Sequence, residues 1–256
     1  MLEAHNVTYL HSTGAGVREI DFVARVGQTV GIIGPNGSGK STLLRLLHQE
    51  LRPQSGEVLL DSKPLSQLTS KERAVQIAVL TQEGLTELGF STEDLVKMGR
   101  YPHQSRWSLW EEKDQQVVNL SMEATDTTHF RDRWLHSMSG GERQRVAIAK
   151  SYAQEPAYLL LDEPTTYLDL RYQWRLLRML QDWKERHQKT LILVLHDMNL
   201  AALFCDQIYL LQAGRLVAVG TPTEVLTQSV LEQVYETRLE VIDHPTYHVP
   251  QILYGE

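Results

Sequence analysis

The chain carries, at residues 34–42, the sequence Gly34-Pro35-Asn36-Gly37-Ser38-Gly39-Lys40-Ser41-Thr42, which matches the phosphate-loop pattern G-x-x-x-x-G-K-[ST]. An apolar segment ends at Ile33 directly before it, and a predicted helix begins at Thr42. Glycines let a loop backbone wrap round a phosphate and point its N–H groups inward, and the helix N-terminus adds positive potential. Lys40 is expected to bind the outer phosphates, and the Ser41 hydroxyl can bind Mg²⁺.

Short apolar runs alternate with helical patterns along the chain, which predicts an α/β fold with a largely parallel sheet. Two of the runs are almost wholly apolar, as in central strands that are buried on both faces. The predicted strands are Thr29–Ile33, Glu57–Leu60, Ile77–Leu80, Tyr158–Leu161 and Leu191–Leu195, with a hairpin around residues 213–214. The stretch 84–154 reads as helical, with helices predicted over Thr92–Met98, Trp110–Ala124 and Gly141–Gln154.

Two adjacent carboxylates, Asp162 and Glu163, follow the apolar strand at Tyr158–Leu161. Open α/β sheets bind ligands at the carboxyl ends of their strands. Asp162 is suited to hold Mg²⁺, directly or through water, and Glu163 to orient and polarise an attacking water. The guanine-selective pattern Asn-Lys-x-Asp is absent from the sequence, so ATP is the expected nucleotide.

A second candidate anion site is the sequence Ser139-Gly140-Gly141-Glu142, at the start of the predicted helix. Such a start is also a common helix cap. Because the chain already has a complete phosphate loop, a second and remote anion site indicates that each site faces another protomer's nucleotide.

The segment at Ser139 resembles the signature motif of ABC-type ATPases, usually Leu-Ser-Gly-Gly-Gln, with Met138 and Glu142 as departures. Further segments resemble other motifs of that family, in the family's order. These are Gln82 as the Q-loop glutamine, Thr166-Tyr167-Leu168-Asp169 as the D-loop, and His196 as the switch histidine.

The resemblance implies a P-loop NTPase (RecA-like) core with a mostly parallel sheet, an antiparallel β portion and an inserted helical subdomain. The expected core covers about 1–83 and 155–220, the helical subdomain 84–154, and a C-terminal segment 221–256. It also implies a head-to-tail homodimer with two ATP molecules between the subunits. Each ATP would contact residues 34–42 of one chain and Ser139–Glu142, with Asp169, of the other.

Roles for single residues also follow from the resemblance. The expected catalytic set is Lys40, Gln82, Glu163 and His196, and the expected Mg²⁺ ligands are Ser41, Gln82 and Asp162. The family usually stacks adenine on an aromatic residue of the first strand–turn. Here that position falls near His11, with Tyr9 as the other candidate.

The stretch Leu95-Val96-Lys97-Met98-Gly99-Arg100-Tyr101-Pro102-His103 resembles Leu-Val-x-x-Gly-Arg-x-Pro-His of importer ATPases for iron(III)-siderophores, haem and cobalamin. It implies an importer subunit, with an iron(III)-siderophore as the first expectation and haem or cobalamin next. Two membrane permease subunits would dock near Gln82 and the helical subdomain, and an extracytoplasmic binding protein would act indirectly. The chain would then lie at the cytoplasmic face of the inner membrane. The same stretch also reads as an ordinary helix stop.

Composition fits these expectations. The net charge of −7 disfavours a DNA-coating protein, so no nucleic-acid partner is expected, and the single cysteine fits a reducing compartment. No segment has the ~20 apolar residues of a membrane span. Two alternatives stay open: a non-transport ABC ATPase acting on nucleic acid or a protein machine, and a nucleotide-gated module without turnover.

Two expectations concern apolar side chains outside these motifs. Helical spacing predicts that one face, consisting of Leu170, Trp174, Leu177, Leu180 and Trp183, packs in the core. Trp107 and Trp110 follow the importer-like stretch, and exposure of their rings would favour an interface there.

Overall fold

The structure, a computed structural model, describes residues 1–81, 89–104, 110–166 and 168–255. Its strands, numbered along the chain, are β1 (Leu2–Leu10), β2 (Gly16–Ala24), β3 (Thr29–Ile33), β4 (Ser55–Leu60), β5 (Lys63–Pro64), β6 (Ile77–Leu80), β7 (Tyr158–Asp162), β8 (Thr190–Val194), β9 (Gln207–Gln212), β10 (Arg215–Gly220), β11 (Leu239–Asp243) and β12 (Pro250–Tyr254). The predicted strands are therefore confirmed to within a few residues.

The α-helices are α1 (Lys40–Leu47), α2 (Ser70–Gln76), α3 (Thr92–Lys97), α4 (Glu112–Ala124), α5 (Gly140–Ala153), α6 (Leu170–His187), α7 (Met198–Phe204), α8 (Pro222–Val225) and α9 (Gln228–Tyr235). Short 3₁₀ helices cover Leu65–Gln67, Met98–His103, Thr128–Phe130 and Leu135–Ser137. Among the helices of the described residues, none is long and apolar enough to cross a membrane. The chain divides into two compact units, residues 1–67 with 190–256, and residues 68–189.

The first unit contains a parallel arrangement in which β3 lies between β8 and β9. In register, Val30 of β3 faces Ile192 on one side and Gln207 on the other. Strand β10 pairs antiparallel with β9 in the hairpin predicted at residues 213–214. A second sheet, in the order β2-β1-β4-β5, is antiparallel throughout. The α/β class with its antiparallel β portion is therefore confirmed.

Tyr209 of β9 connects the two sheets of this unit. Its ring packs against Phe22 at 4.6 Å between centroids. Its hydroxyl accepts a hydrogen bond from the Val23 N–H at 2.9 Å and donates one to the Val23 carbonyl at 3.2 Å. Burial raises the pKa of the Tyr209 hydroxyl, which keeps the donor proton in place at neutral pH.

Replacing Tyr209 with Phe is therefore expected to lower the free energy of unfolding by about 1–2 kcal/mol, since two backbone groups lose their partner. Thermal unfolding measures this as a lower Tm. Tyr101→Phe serves as the matched control, because Tyr101 is 77% exposed and its hydroxyl loss should leave the Tm unchanged. Equal Tm values for the two variants would contradict the prediction.

The second unit holds a parallel pair of strands and a helical core. Strands β6 and β7 run parallel, with Leu80 opposite Leu161. Helices α3, α4 and α5 bury a shared apolar cluster, which consists of Leu95, Val96, Val118, Met122, Phe130, Leu135, Met138, Val146, Ala149 and Ala153. The predicted helices over 92–98, 110–124 and 141–154 are confirmed with shifts of one or two residues at their ends. The predicted subdomain boundaries stay predictions.

One expectation about α6 is wrong in part. Leu177, Leu180 and Trp183 are buried, but Leu170 is 83% exposed and Trp174 is 36% exposed. Both exceptions lie in the N-terminal part of the helix. Helical spacing places residues on one face but does not say how far along the helix that face is covered.

Candidate functional site

The phosphate loop connects β3 to α1, and at two of its positions the backbone leaves no room for a side chain. Gly34 has φ 147°, and a Cβ there would lie 2.1 Å from the Leu211 carbonyl oxygen. Gly39 has φ 100°, and a Cβ there would lie 2.7 Å from Val17 Cγ1. Positive φ and the close approach of neighbouring backbone both require glycine. The loop therefore keeps its backbone available for a ligand.

The charges of the loop suit a polyphosphate. The Lys40 ammonium donates hydrogen bonds to the carbonyl oxygens of Gly34 at 2.9 Å and Pro35 at 3.1 Å, which holds it under the loop. The first turn of α1 contains no acidic residue that would offset the positive helix end. The hydroxyl of Ser38 is buried and has no hydrogen-bond partner within the described residues. These features fit an anionic ligand that would contact the loop.

The two adenine-stacking candidates lie next to this loop. The His11 ring nitrogen Nε2 is 3.3 Å from Thr42 Oγ1 of α1, a hydrogen bond whose donor depends on the tautomer. Tyr9 packs edge-on against His11 with 5.0 Å between ring centroids. The structure thus brings His11 to the helix that follows the loop, with Tyr9 as its support.

His196 follows strand β8 at the same edge of the sheet. The Leu195 N–H donates to the Ile32 carbonyl at 3.2 Å, so residue 196 comes directly after the last bond between β8 and β3. Its side chain is exposed. Asp197 then caps helix α7 by accepting from the N–H groups of Asn199 and Leu200. The predicted switch histidine and phosphate loop therefore both follow carboxyl ends of neighbouring parallel strands.

In the second unit the two carboxylates end strand β7, as the sequence predicts. Asp162 is the last residue of the strand and is 5% exposed. Glu163 is half-buried and has φ 53°, in the left-handed region that non-glycine residues rarely adopt. Its carboxylate accepts a hydrogen bond from Thr166 Oγ1 at 3.4 Å. Such backbone strain is typical of functional sites.

The start of helix α5 is open to solvent, as a site for another protomer's nucleotide requires. Ser139 and Gly140 are both exposed. Asp169, the predicted D-loop residue, caps α6 by accepting from the Tyr172 N–H at 2.9 Å. Within this unit both helix starts line one open groove, formed by Ser139, Gly140, Gly141, Glu142, Arg145, Leu168, Asp169 and Tyr172.

The side chains of two glutamines donate hydrogen bonds to backbone carbonyls in the loop that follows the two carboxylates. Neither glutamine was assigned a role in this loop from the sequence. Gln144 Nε2 donates to the Pro164 carbonyl at 3.1 Å. Gln173 Nε2 donates to the carbonyls of Thr165 at 3.3 Å and Leu168 at 3.0 Å. No local pattern marks such side chains, because their partners are backbone atoms of a loop.

Three predicted residues lie outside the described residues: Gln82 of the Q-loop, Tyr167 of the D-loop, and Trp107. Trp110, which is described, is 39% exposed, and the Lys97 ammonium lies 5.7 Å from its ring centroid.

The importer-like stretch, Leu95–His103, contains residues that pack against the rest of the unit as well as exposed residues. A Cβ at Gly99 would lie 2.2 Å from the Lys150 carbonyl oxygen, so the chain passes tightly against α5. Arg100 is 3% exposed and binds Asp114 Oδ1 at 2.9 Å and Glu155 Oε2 at 2.8 Å. His103 Nε2 is 2.8 Å from the Gln154 carbonyl. Tyr101, by contrast, projects outward. The helix-stop interpretation is thus supported.

A glycine-rich loop between a parallel strand and a helix, with a buried lysine below it, defines the first unit as that of a phosphate-loop nucleotide-binding protein. The chain belongs to the ABC transporter family, whose profile matches residues 17–166. It is an ATP-binding, ATP-hydrolysing transporter subunit.

Several relatives are similar over nearly their whole length. The ferric enterobactin transport ATP-binding protein FepC of Escherichia coli is 41% identical over 89% of this chain and 84% of its own. The hemin import ATP-binding protein HmuV of Pseudomonas fluorescens Pf0-1 is 38% identical over 99% of both chains. Among solved structures, the dimeric ATP-binding cassette MJ0796 with ADP and Pi superposes with a TM-score of 0.77 at 27% identity, covering 86% of this chain and 98% of the other.

Proposed function

We propose that this chain is the ATPase subunit of a membrane importer for iron(III)-siderophores, with haem and cobalamin as the next candidates. The observation that carries the proposal is the near-complete coverage of relatives named for siderophore and hemin import, at 33–41% identity. The importer-like stretch at Leu95–His103 agrees with it.

In this proposal the chain's residues contribute to hydrolysis by binding the nucleotide and by positioning the attacking water. Lys40 and the loop N–H groups bind phosphate oxygens, while Ser41, Gln82 and Asp162 hold Mg²⁺ through oxygen atoms, the donors that this ion prefers. Bound Mg²⁺ would supply further neutralisation of the phosphate charge. Glu163 accepts a proton from the attacking water, and His196 supports the terminal phosphate. We assign adenine stacking to His11, supported by Tyr9.

We further propose that two copies close head to tail on two ATP molecules. The exposed start of α5 and the groove that it shares with Asp169 support this, because neither is covered within its own unit. Each groove would contact the nucleotide on the partner's phosphate loop. ATP supplies the negative charge that two positive helix ends need between them.

The permease contact is proposed at Gln82 and the helices around Tyr101, with the binding protein acting through the permease. Such a complex would hold the chain at the cytoplasmic face of the inner membrane. The outward Tyr101, at 77% exposure, has the residue type that interface cores favour.

The test is reconstitution of this chain with candidate siderophore-permease subunits from the same genome, in liposomes that enclose ATP. We expect co-purification of the complex and uptake of a ⁵⁵Fe-loaded catecholate or hydroxamate siderophore in the presence of its binding protein. Parallel assays with haem and cobalamin decide between the cargo classes. ATP turnover that responds to DNA, RNA or ribosomes, with no permease complex, would overturn the proposal in favour of a non-transport ATPase.

A further inference from the structure

Glu142 places a negative charge where the proposed dimer must receive a triphosphate. It is the third residue of α5, and its Oε2 accepts from the Ser139 N–H at 2.7 Å and the Ser139 hydroxyl at 3.0 Å. In return the Glu142 N–H donates to Ser139 Oγ at 3.3 Å, which completes a capping box. The bond from the Ser139 N–H, followed by those from the Ser139 hydroxyl and Arg133, lowers the pKa of Glu142. The side chain is therefore a carboxylate at neutral pH.

This charge opposes the role assigned to the helix end. The helix dipole contributes about +0.5 of a charge at its N-terminus, and a carboxylate in the first turn contributes −1. The sum is negative. A helix start with only this carboxylate would repel a nucleotide's phosphates, although its backbone N–H groups point the right way.

Arg133 supplies a positive charge that pairs directly with this carboxylate. Its Nη1 lies 3.0 Å from Glu142 Oε1, the carboxylate oxygen that Ser139 does not use. Its Nη2 donates to the Ser137 carbonyl at 2.7 Å, and its guanidinium lies 5.2 Å from the Phe130 ring centroid. These contacts fix the guanidinium on the side of the carboxylate away from the capping bonds. The Glu142–Arg133 pair carries no net charge, so it leaves the contribution of the helix dipole, about +0.5 of a charge, in place.

We propose that Arg133 is a positioning residue of the signature site, which neutralises Glu142 so that the Ser139 helix start can accept the triphosphate of the partner protomer. This inference rests on the proposed ATP-bridged dimer. It assigns a function to a residue outside the signature motif, six positions before Ser139 in the sequence.

The test measures the ATP concentration for half-maximal dimerisation, in the Glu163→Gln background that slows hydrolysis. Arg133→Ala should raise this concentration about tenfold, through the exposed negative charge of Glu142. Adding Glu142→Gln to Arg133→Ala should restore it to within about threefold, because the repelling charge is gone. Arg133→Lys should keep most of the function. Binding of a fluorescent ATP analogue to the monomer should be the same in all variants.

Arg131→Ala is the matched control, since Arg131 is the neighbouring arginine and pairs with Glu93 at 2.7 Å instead. We expect dimerisation at the same ATP concentration as in the parent. A loss in Arg133→Ala that Glu142→Gln does not rescue would assign Arg133 a merely structural role and overturn the inference. An unchanged ATP concentration for half-maximal dimerisation in Arg133→Ala would also overturn the inference. Failure of the parent Glu163→Gln protein itself to dimerise with ATP would instead reject the proposed dimer, and this inference with it.

Discussion

Glu163→Gln is expected to bind ATP normally, to hydrolyse it at least about 100-fold more slowly, and to accumulate as an ATP-bound dimer. Glutamine keeps the size and the carbonyl oxygen of the side chain but cannot accept the proton of the attacking water. The strained backbone at φ 53° and the contact from Thr166 Oγ1 hold the position without requiring a charge. The loss should therefore appear in turnover and not in folding.

Phosphate release and size-exclusion chromatography with ATP measure the two parts of this prediction. Glu123→Gln provides the control, because Glu123 is an exposed glutamate of α4 in the same unit, and its turnover should match that of the wild type. Hydrolysis at the wild-type rate in Glu163→Gln would remove Glu163 from the catalytic role. Slow hydrolysis without any dimer would contradict the closure of two copies on ATP.

Lys40→Ala is expected to weaken ATP binding by at least about 100-fold, since the charge-assisted contact to the outer phosphates is lost. The substitution also removes the hydrogen bonds to the carbonyls of Gly34 and Pro35, so these two oxygens lose the ammonium group as their donor. Titration with a fluorescent ATP analogue measures the affinity. The rise of Tm with added ATP, which reports ligand binding to the folded state, should disappear as well.

Arg45→Ala is the control for Lys40, because it removes a positive charge from the other end of the same helix. Arg45 is 41% exposed and faces Glu50 at 3.7 Å, away from the loop. We expect an affinity within about twofold of the wild type, since the Arg45 charge lies in the last turn of the helix, is exposed to solvent and is paired with Glu50. An affinity of Lys40→Ala that equals that of Arg45→Ala would contradict the assigned role.

The parts of the fold that the sequence predicts well are those that local chemistry determines. The short apolar runs of β3, β7 and β8 are typical of strands that are buried on both faces, and the glycine and lysine spacing at residues 34–42 is typical of a phosphate-binding loop. The hairpin at residues 213–214 follows from a similar cause, because Ala213 and Gly214 both adopt positive φ in a tight turn.

What the sequence leaves open depends on contacts between distant residues. Arg100 is part of the importer-like stretch, yet the ion pairs of its buried guanidinium with Asp114 and Glu155 become visible only when three helices are packed. The pairing of Arg133 with Glu142 likewise spans a 3₁₀ turn, so no helical spacing marks it. The predicted burial of Leu170 is wrong for the same reason, because periodicity describes a single helix and not how far its neighbours cover it.

The closed capping box at Ser139 has a consequence for which groups can compete for its hydroxyl proton. A hydroxyl group has one proton, and that of Ser139 already points to its own glutamate at 3.0 Å. An incoming oxygen atom can obtain this proton only by outcompeting a carboxylate, so the exchange favours acceptors of high charge density. A terminal phosphate meets that demand, whereas water and weaker acceptors do not. In the proposed dimer this half of the contact would therefore form only when a phosphate of the partner's nucleotide reaches Ser139.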